Sequence, residues 1–270
     1  MKILVCLKQV PDTQNVVVDP KTGIMKREGI LSKMNPYDLF SLEWGLRLKD
    51  QYGGWVSVMT MGPPQAKDIL LEAMSMGADE GVLLTDKAFA GADVLATSYT
   101  LARGICLLGD VHLILCGKQT IDGDTAQVGP AIAEWLNIPH ITQVRKIRME
   151  NGELLVEADY ADFIQTCLVS FPALLTIEKD STVPRLPSYL LKKAASTKKL
   201  QIWGSKELTS FENEETYFGT EGSATQVEKI FPPPQREGKR MLQTNPKDSC
   251  SEILSFLEKH HLIKGGDSVG

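Results

Sequence analysis

Cys116-Gly117-Lys118-Gln119-Thr120-Ile121-Asp122-Gly123-Asp124-Thr125-Ala126-Gln127-Val128-Gly129-Pro130 is a polar, glycine-containing stretch set between two apolar ones. His112-Leu113-Ile114-Leu115 ahead of it reads as a buried strand, and Ala131 to Leu136 behind it as an amphipathic helix. Asp124-Thr125 is a good N-cap pair for that helix. A strand, a glycine-containing loop and a helix N-terminus bring backbone N–H groups and the helix dipole to a place where a phosphate can meet them. The stretch matches neither GxGxxG nor GxxxxGK[ST], so neither standard nucleotide fingerprint applies. From shape alone, a plain polar connection and a phosphate site both stand.

Outward from this loop, strand and helix patterns alternate. Ile3–Leu7 reads as a strand, and Val16-Val17-Val18 with Gly29–Ser32 as an excursion before the first helix. Asn35 is a candidate N-cap, Pro36 sits at the first helical position and Asp38 at the third, with Tyr52-Gly53-Gly54 as the stop. Trp55–Met61, Gly81–Leu84 and Leu113–Cys116 read as strands, and Ala66–Met76 and Ala92–Leu108 as helices. Such alternation predicts a parallel sheet covered on both faces. The pattern then changes. Ile141–Ile147, Glu153–Tyr160, Phe163–Ser170 and Ala173–Ile177 read as strands with no long helix between them, and Asn151-Gly152 marks a hairpin. They predict antiparallel or mixed strands added to the sheet.

From about Gly204 the composition loosens. Phe211–Gly222 is polar, with Glu212, Glu214, Glu215 and Glu221, and Pro232-Pro233-Pro234 marks an extended segment. A last helix, about Ser249–His260, presents Ile253, Leu254 and Leu257. The expected organisation is therefore an α/β domain over residues 1–203 and a C-terminal arm over 204–270 that packs on another chain or domain.

The chain's 43% hydrophobic residues are ample for a core. A formal charge of −5 and a pI near 5.5 provide no broad basic field, which argues against nucleic acid as the main partner. Cys6, Cys106, Cys116, Cys167 and Cys250 are an odd, scattered set, which argues against a disulfide framework or a zinc site. Met1-Lys2 runs straight into a strand pattern and no apolar stretch reaches membrane-spanning length. The expectation is a soluble, cytoplasmic protein of a reducing compartment.

No catalytic set stands out. His112, His140, His260 and His261 are scattered, and a structural or solvated role suits them better than catalysis. Asp122 and Asp124 can be read as general acid–base groups, as Mg²⁺ ligands, or as groups that shape the loop and orient a ribose or phosphate. Thr125 offers a hydroxyl and an N–H to a phosphate, and Gln127 an amide. Asn35-Pro36 is a plain helix cap or a second donor site.

The wording of the loop, Gly-Lys-Gln-Thr-Ile-Asp-Gly-Asp-Thr-Ala-Gln-Val-Gly-Pro, resembles the signature loop of electron-transfer flavoprotein β-subunits. Val5-Cys6-Leu7-Lys8-Gln9-Val10-Pro11-Asp12 is similar to that family's opening strand and loop, and Met34-Asn35-Pro36-Tyr37-Asp38 to its second nucleotide contact. Met59-Thr60-Met61-Gly62-Pro63-Pro64 and Met76-Gly77-Ala78-Asp79-Glu80 fall where the family has similar strings. These ordered matches cover about residues 1–130, and a weaker likeness continues to about 200.

The resemblance implies a Rossmann-like sheet and a nucleotide pocket. Carried over by position, that pocket uses Cys6, Asn35, Pro36, Tyr37, Asp38, Met61, Gly117, Lys118, Gln119, Thr120, Ile121, Asp122, Gly123, Asp124, Thr125, Ala126, Gln127 and Val128. These positions lie at strand C-terminal ends or at the helix starts that follow, where open α/β sheets place ligands. The resemblance also implies a heterodimer with an α-subunit and a segment, Arg185–Lys199, that docks an acyl-CoA-type or other flavin dehydrogenase. There the family's Leu-Pro-x-Ile-Met-Lys-Ala-Lys-Lys string is replaced by Leu186-Pro187-Ser188-Tyr189-Leu190-Leu191-Lys192-Lys193-Ala194-Ala195. Read without the resemblance, the segment is equally a helix packed on its own sheet.

Asp122-Gly123-Asp124-Thr125-Ala126 follows the electron-bifurcating members rather than the Asp-Asp-Asp-Cys-Asn type that keeps AMP. That implies FAD as the cofactor held here, with AMP as the alternative, NADH as a possible donor and ferredoxin or flavodoxin as a possible acceptor. Lys8–Asp12 and Gly123-Asp124 would frame the isoalloxazine. Two rivals remain: an ATP-binding enzyme or stress-type protein on a similar sheet, and an interaction scaffold with no nucleotide.

Overall fold

The structure is a computed structural model that describes residues 1–12, 32–195, 197, 200–209, 214–226 and 245–263. The expected excursion at 16–18 and 29–31, the triple proline at 232–234, and Lys198 and Lys199 lie outside the described residues. Two compact units divide the chain, residues 1–230 and 231–270.

The first unit is built on strands β1 (Lys2–Cys6), β4 (Trp55–Met61), β5 (Glu80–Leu84) and β6 (Leu113–Gly117). Between them run helices α1 (Pro36–Tyr52), α2 (Lys67–Met76) and α3 (Val94–Leu108). After α4 (Val128–Leu136) come β7 (His140–Glu150), β8 (Glu153–Asp159), β9 (Ile164–Val169) and β10 (Ala173–Ile177). Helix α5 (Tyr189–Ala195), strand β11 (Gln201–Trp203) and helix α6 (Ser205–Leu208) follow.

The sheet has nine strands in the order β11-β5-β4-β1-β6-β10-β7-β8-β9. All neighbours are parallel except β7–β8 and β8–β9. The expected parallel sheet with added antiparallel strands is thus what forms. Along β1, Ile3 and Val5 join the core cluster that includes α1 and α2, while Leu4 and Cys6 join the one that includes α3 and α4. Strands buried on both faces favour near-continuous apolar runs, as in residues 3–6 of β1 and 113–116 of β6.

The punctuation holds where it is local. Helix α1 starts after Asn35 with Pro36 at its first position and stops at Gly53 in a positive-φ conformation. Asn151 and Gly152, at φ 51° and 88°, make the β7–β8 turn. Two features rest on long-range pairing that the sequence reading left open. Strand β10 is inserted between β6 and β7. In addition, β11 pairs with β5, and Phe218 packs at 5.1 Å from Phe89 and 5.5 Å from Tyr99. The described part of the expected arm up to 226 therefore belongs to the first unit, because Phe218, 2% exposed, fills an aromatic gap beside α3.

The second unit contains α7 (Pro246–Lys259), which begins three residues earlier than expected. There the Asn245 side chain accepts from the Asp248 N–H and Pro246 takes the first helical position.

Candidate functional site at the switch point of the sheet

From β1 the chain winds outward through β4 and β5, then returns to lay β6 on the other side of β1. The C-terminal ends of β1 and β6 therefore border the crevice where winding reverses, the usual ligand position in such sheets. Cys6 and Cys116 face each other there across the parallel pair. Both are buried free thiols, and the hydrogen bond that the Cys116 thiol makes to Cys6, then burial, push that thiol up.

Three connections close over these ends. The β1 loop continues into β2 (Gln9–Pro11), which pairs antiparallel with β3 (Ser32–Met34), so the start of α1 lies beside Lys8. The Asn35 N–H donates to the Lys8 carbonyl at 2.9 Å. The third connection is the 117–127 loop.

Asn35 does not cap α1 with its side chain. Its Nδ2 donates to Asp38 Oδ1 and to the Gln119 carbonyl, each at 2.9 Å, and its Oδ1 accepts from the Ile121 N–H at 3.3 Å. Asp38 Oδ2 accepts from the Lys8 N–H at 2.7 Å. Asn35 is 0% and Asp38 5% exposed. Burial pushes the Asp38 carboxyl up to about 7, against the lowering effect of donors from Asn35, Lys8 and Gly117. Gly117 is required here, since a Cβ would strike Asp38 Oδ1 and lie 2.8 Å from Tyr37 Cβ.

The outer half of the loop is the opposite environment. Residues 121–127 are exposed. Lys8 Nζ donates to Asp122 Oδ1 at 2.8 Å. Partial burial works to raise the Asp122 carboxyl and is outweighed by Lys8, Thr120 and Gly123, which hold it below the usual range. Thr120 Oγ1 accepts from the Gly123 N–H at 3.3 Å, and Gln119 Nε2 donates to Asp124 Oδ1. Lys118 is turned away, donating to Glu178 at 2.8 Å and Gln143 at 3.2 Å. Nothing in the sequence marked those two partners, which come from β7 and the end of β10.

Asp124 and Ala126 take left-handed conformations, φ 52° and 56°, and Gln127 is right-handed. The expected Asp124-Thr125 cap is therefore not made. Helix α4 begins at Val128 after an uncapped Gln127, because the Asp124 carboxylate is engaged with Gln119. Among the described residues, the N–H groups of Thr125, Ala126 and Gln127 meet no acceptor. Alternating hand turns successive N–H groups toward one side, which makes a concavity for anions. A helix N-terminus adds its dipole. This donor set suits a phosphate.

Met61, half-buried, ends β4 beside β1, and Pro36 and Tyr37 are half-buried at the start of α1. The structure thus brings the expected residues to one end of the sheet. It separates those open to a ligand (Ile121 to Gln127) from those sealed beneath (Asn35 and Asp38).

The segment around Arg185 lies along α1 and α2. Arg185 donates to Glu43 through its backbone N–H (3.0 Å), Nε (2.9 Å) and Nη2 (3.2 Å), and to Asp50 at 2.8 Å. The Ser188 N–H donates to the Ser75 carbonyl. Beyond this anchor Leu186, Tyr189 and Leu190 are 87%, 79% and 76% exposed. Among the described residues no helix is long and apolar enough to cross a membrane, and no cluster of acidic, His or Cys side chains fits a metal ion.

Comparison with known proteins bears on this geometry. Residues 22–208 match the model of the electron transfer flavoprotein domain. The electron transfer flavoprotein subunit beta of Clostridium acetobutylicum is 43% identical over 97% of this chain and all of its own length. The caffeyl-CoA reductase–Etf complex subunit CarD of Acetobacterium woodii is 44% identical over 97% of this chain and all of its own. Protein FixA of Azorhizobium caulinodans is 39% identical over 92% of each chain. With its crevice, loop and whole-length likeness, the chain belongs to the electron transfer flavoprotein family, as a β-subunit.

Proposed function

We propose that this chain, paired with a larger flavin-binding α-subunit, is the FAD-holding β-subunit of an electron-bifurcating carrier. NADH is its donor, and a partner dehydrogenase and ferredoxin or flavodoxin are its acceptors. The observation that carries the reading is that the N–H groups of Thr125, Ala126 and Gln127, in the loop that follows β6 at the switch point, meet no acceptor among the described residues. They fit the phosphate end of an adenine nucleotide, with Cys6 and Met61 on the strands behind them.

A bound FAD supplies the one- and two-electron chemistry. The chain's own part is to bind, orient and screen it. The 125–127 N–H groups and the α4 dipole hold phosphate oxygens without bringing a mobile cation, since Lys8 is paired with Asp122 and Lys118 with Glu178. The second unit, with α7, and the exposed face of α5 serve partners: α7 the α-subunit, and Leu186, Tyr189 and Leu190 the dehydrogenase. Because one relative is named for a caffeyl-CoA reductase complex, an acyl-CoA-type partner is the natural choice.

The experiment is the nucleotide content of the purified heterodimer, extracted and separated. Two FAD per heterodimer supports the reading. One FAD and one AMP retains the pocket and overturns bifurcation through it. For docking, Tyr189→Ala with Leu190→Ala should weaken transfer to the dehydrogenase by about 2 kcal/mol or more with flavin content unchanged. Loss of flavin instead would refute the docking assignment.

A further inference from the structure

We infer that Asp38 is a positioning residue for the nucleotide loop: its carboxylate, through Asn35, holds the 119–121 backbone that presents the phosphate-binding turn. This rests on the crevice being a nucleotide site, and assigns within it a role to a side chain that is itself out of reach of solvent.

The geometry is a relay. Asp38 Oδ2 takes the Lys8 N–H and Oδ1 takes Asn35 Nδ2. Held that way round, the Asn35 amide has only one orientation. Its second Nδ2 hydrogen goes to the Gln119 carbonyl and its Oδ1 to the Ile121 N–H. The loop is thus gripped at both a donor and an acceptor, two residues apart, just before the exposed turn. Gly117 lets the end of β6 lie against the carboxylate. Both Asp38 oxygens are used as acceptors, and a carboxylate serves two donors where a neutral acid or amide serves them less well.

The other titratable groups around Asp38 are few. Lys8 faces it from the β1–β2 connection, the Cys116 thiol from β6 with Cys6 of β1 behind it, and Tyr37 adjoins it on α1. Burial brings the carboxyl to about 7. The ionised share therefore falls about tenfold between pH 8 and pH 6, and nucleotide affinity should follow it.

The test uses the heterodimer stripped of nucleotide, with AMP as probe because AMP is common to the AMP and FAD readings. Calorimetry at pH 6 and pH 8 compares wild type with Asp38→Asn, which keeps the shape but cannot accept at both positions. Wild type should bind AMP up to about tenfold more tightly at pH 8 than at pH 6, beyond the phosphate's own titration. Asp38→Asn should bind about tenfold more weakly at pH 8, with only the phosphate's slope remaining. Equal affinity and equal slope in the two proteins overturn the inference. So does a loss in the variant without the extra slope in wild type, which marks a merely structural role. Should the variant fail to fold, proton release on AMP binding to wild type at pH 7 decides, measured in two buffers of different ionisation enthalpy. Release no greater than that of AMP itself overturns the inference. If wild type binds no AMP at either pH, the underlying nucleotide reading is what has failed.

Discussion

The exposed turn at 121–127 and the sealed pair Asn35–Asp38 lie in one site and obey opposite physics. In the exposed turn, the N–H groups of Thr125, Ala126 and Gln127 meet no acceptor among the described residues, and ion pairs such as Lys8–Asp122 are half in solvent. In the pair, both polar side-chain atoms of Asn35 are spent inside the protein, on Asp38, Gln119 and Ile121. A ligand can compete for the first set with water alone. The second set it cannot reach. On the proposed function, the same motif divides into residues that would touch a ligand and residues that hold those in place.

That division makes substitutions in the two regions fail differently. The largest effect is expected in the pH dependence of stability. Asp38 titrates near 7 in the folded protein and near 4 unfolded, so between those values the folded state keeps a proton that the unfolded state has lost. Its contribution to stability falls as pH rises through that window, by a few kcal/mol at most, and is flat above it. Urea unfolding at pH 5 and pH 7.5 should show this fall in wild type and lose it in Asp38→Asn. Nucleotide affinity should rise across the upper part of the same window, opposite to stability.

Next comes Asn35→Ala, which strands the Asp38 carboxylate, the Gln119 carbonyl and the Ile121 N–H. A cost of about 3 kcal/mol is expected from urea unfolding. Gly117→Ala forces a Cβ against Asp38 and Tyr37 and should cost about 2 kcal/mol, with loss of bound nucleotide. Gly123→Ala is its control in the same loop. The nearest atom to its Cβ is 3.5 Å away, so stability should change by no more than about 0.5 kcal/mol. Lys8→Ala, which breaks an exposed pair, should cost about 1 kcal/mol or less. If Gly123→Ala destabilised as much as Gly117→Ala, the distinction between open turn and sealed pair would fall.

Much of this was legible in the sequence because it is local. The strand at Trp55–Met61, the Asn35-Pro36 start and Gly53 stop of α1, and the Asn151-Gly152 turn depend on neighbours in the chain. The alternation of apolar runs also gave the parallel sheet, and with it the end of the sheet where a ligand belongs. What stayed hidden depends on distant partners. Lys8 meets Asp122 and Asn35 meets Gln119 across long stretches of chain, so a side chain that reads as a helix cap serves instead as a tether. Asp124-Thr125 has the composition of a cap, but Gln119 captures the carboxylate and α4 starts at Val128 without it. Insertion of β10 beside β6 follows from long-range pairing that no local pattern encodes. Phe218 sits in a polar, Glu-containing stretch, and its single aromatic ring outweighs the surrounding composition.

The central claim is that the backbone N–H groups at the start of α4 hold a nucleotide phosphate. Amide hydrogen exchange on the stripped heterodimer, with and without AMP, reads those groups directly. The account predicts slower exchange on AMP addition in peptides covering 120–128, with peptides covering the anchored segment 185–195 unchanged. Unchanged exchange across 120–128 under saturating AMP would contradict it.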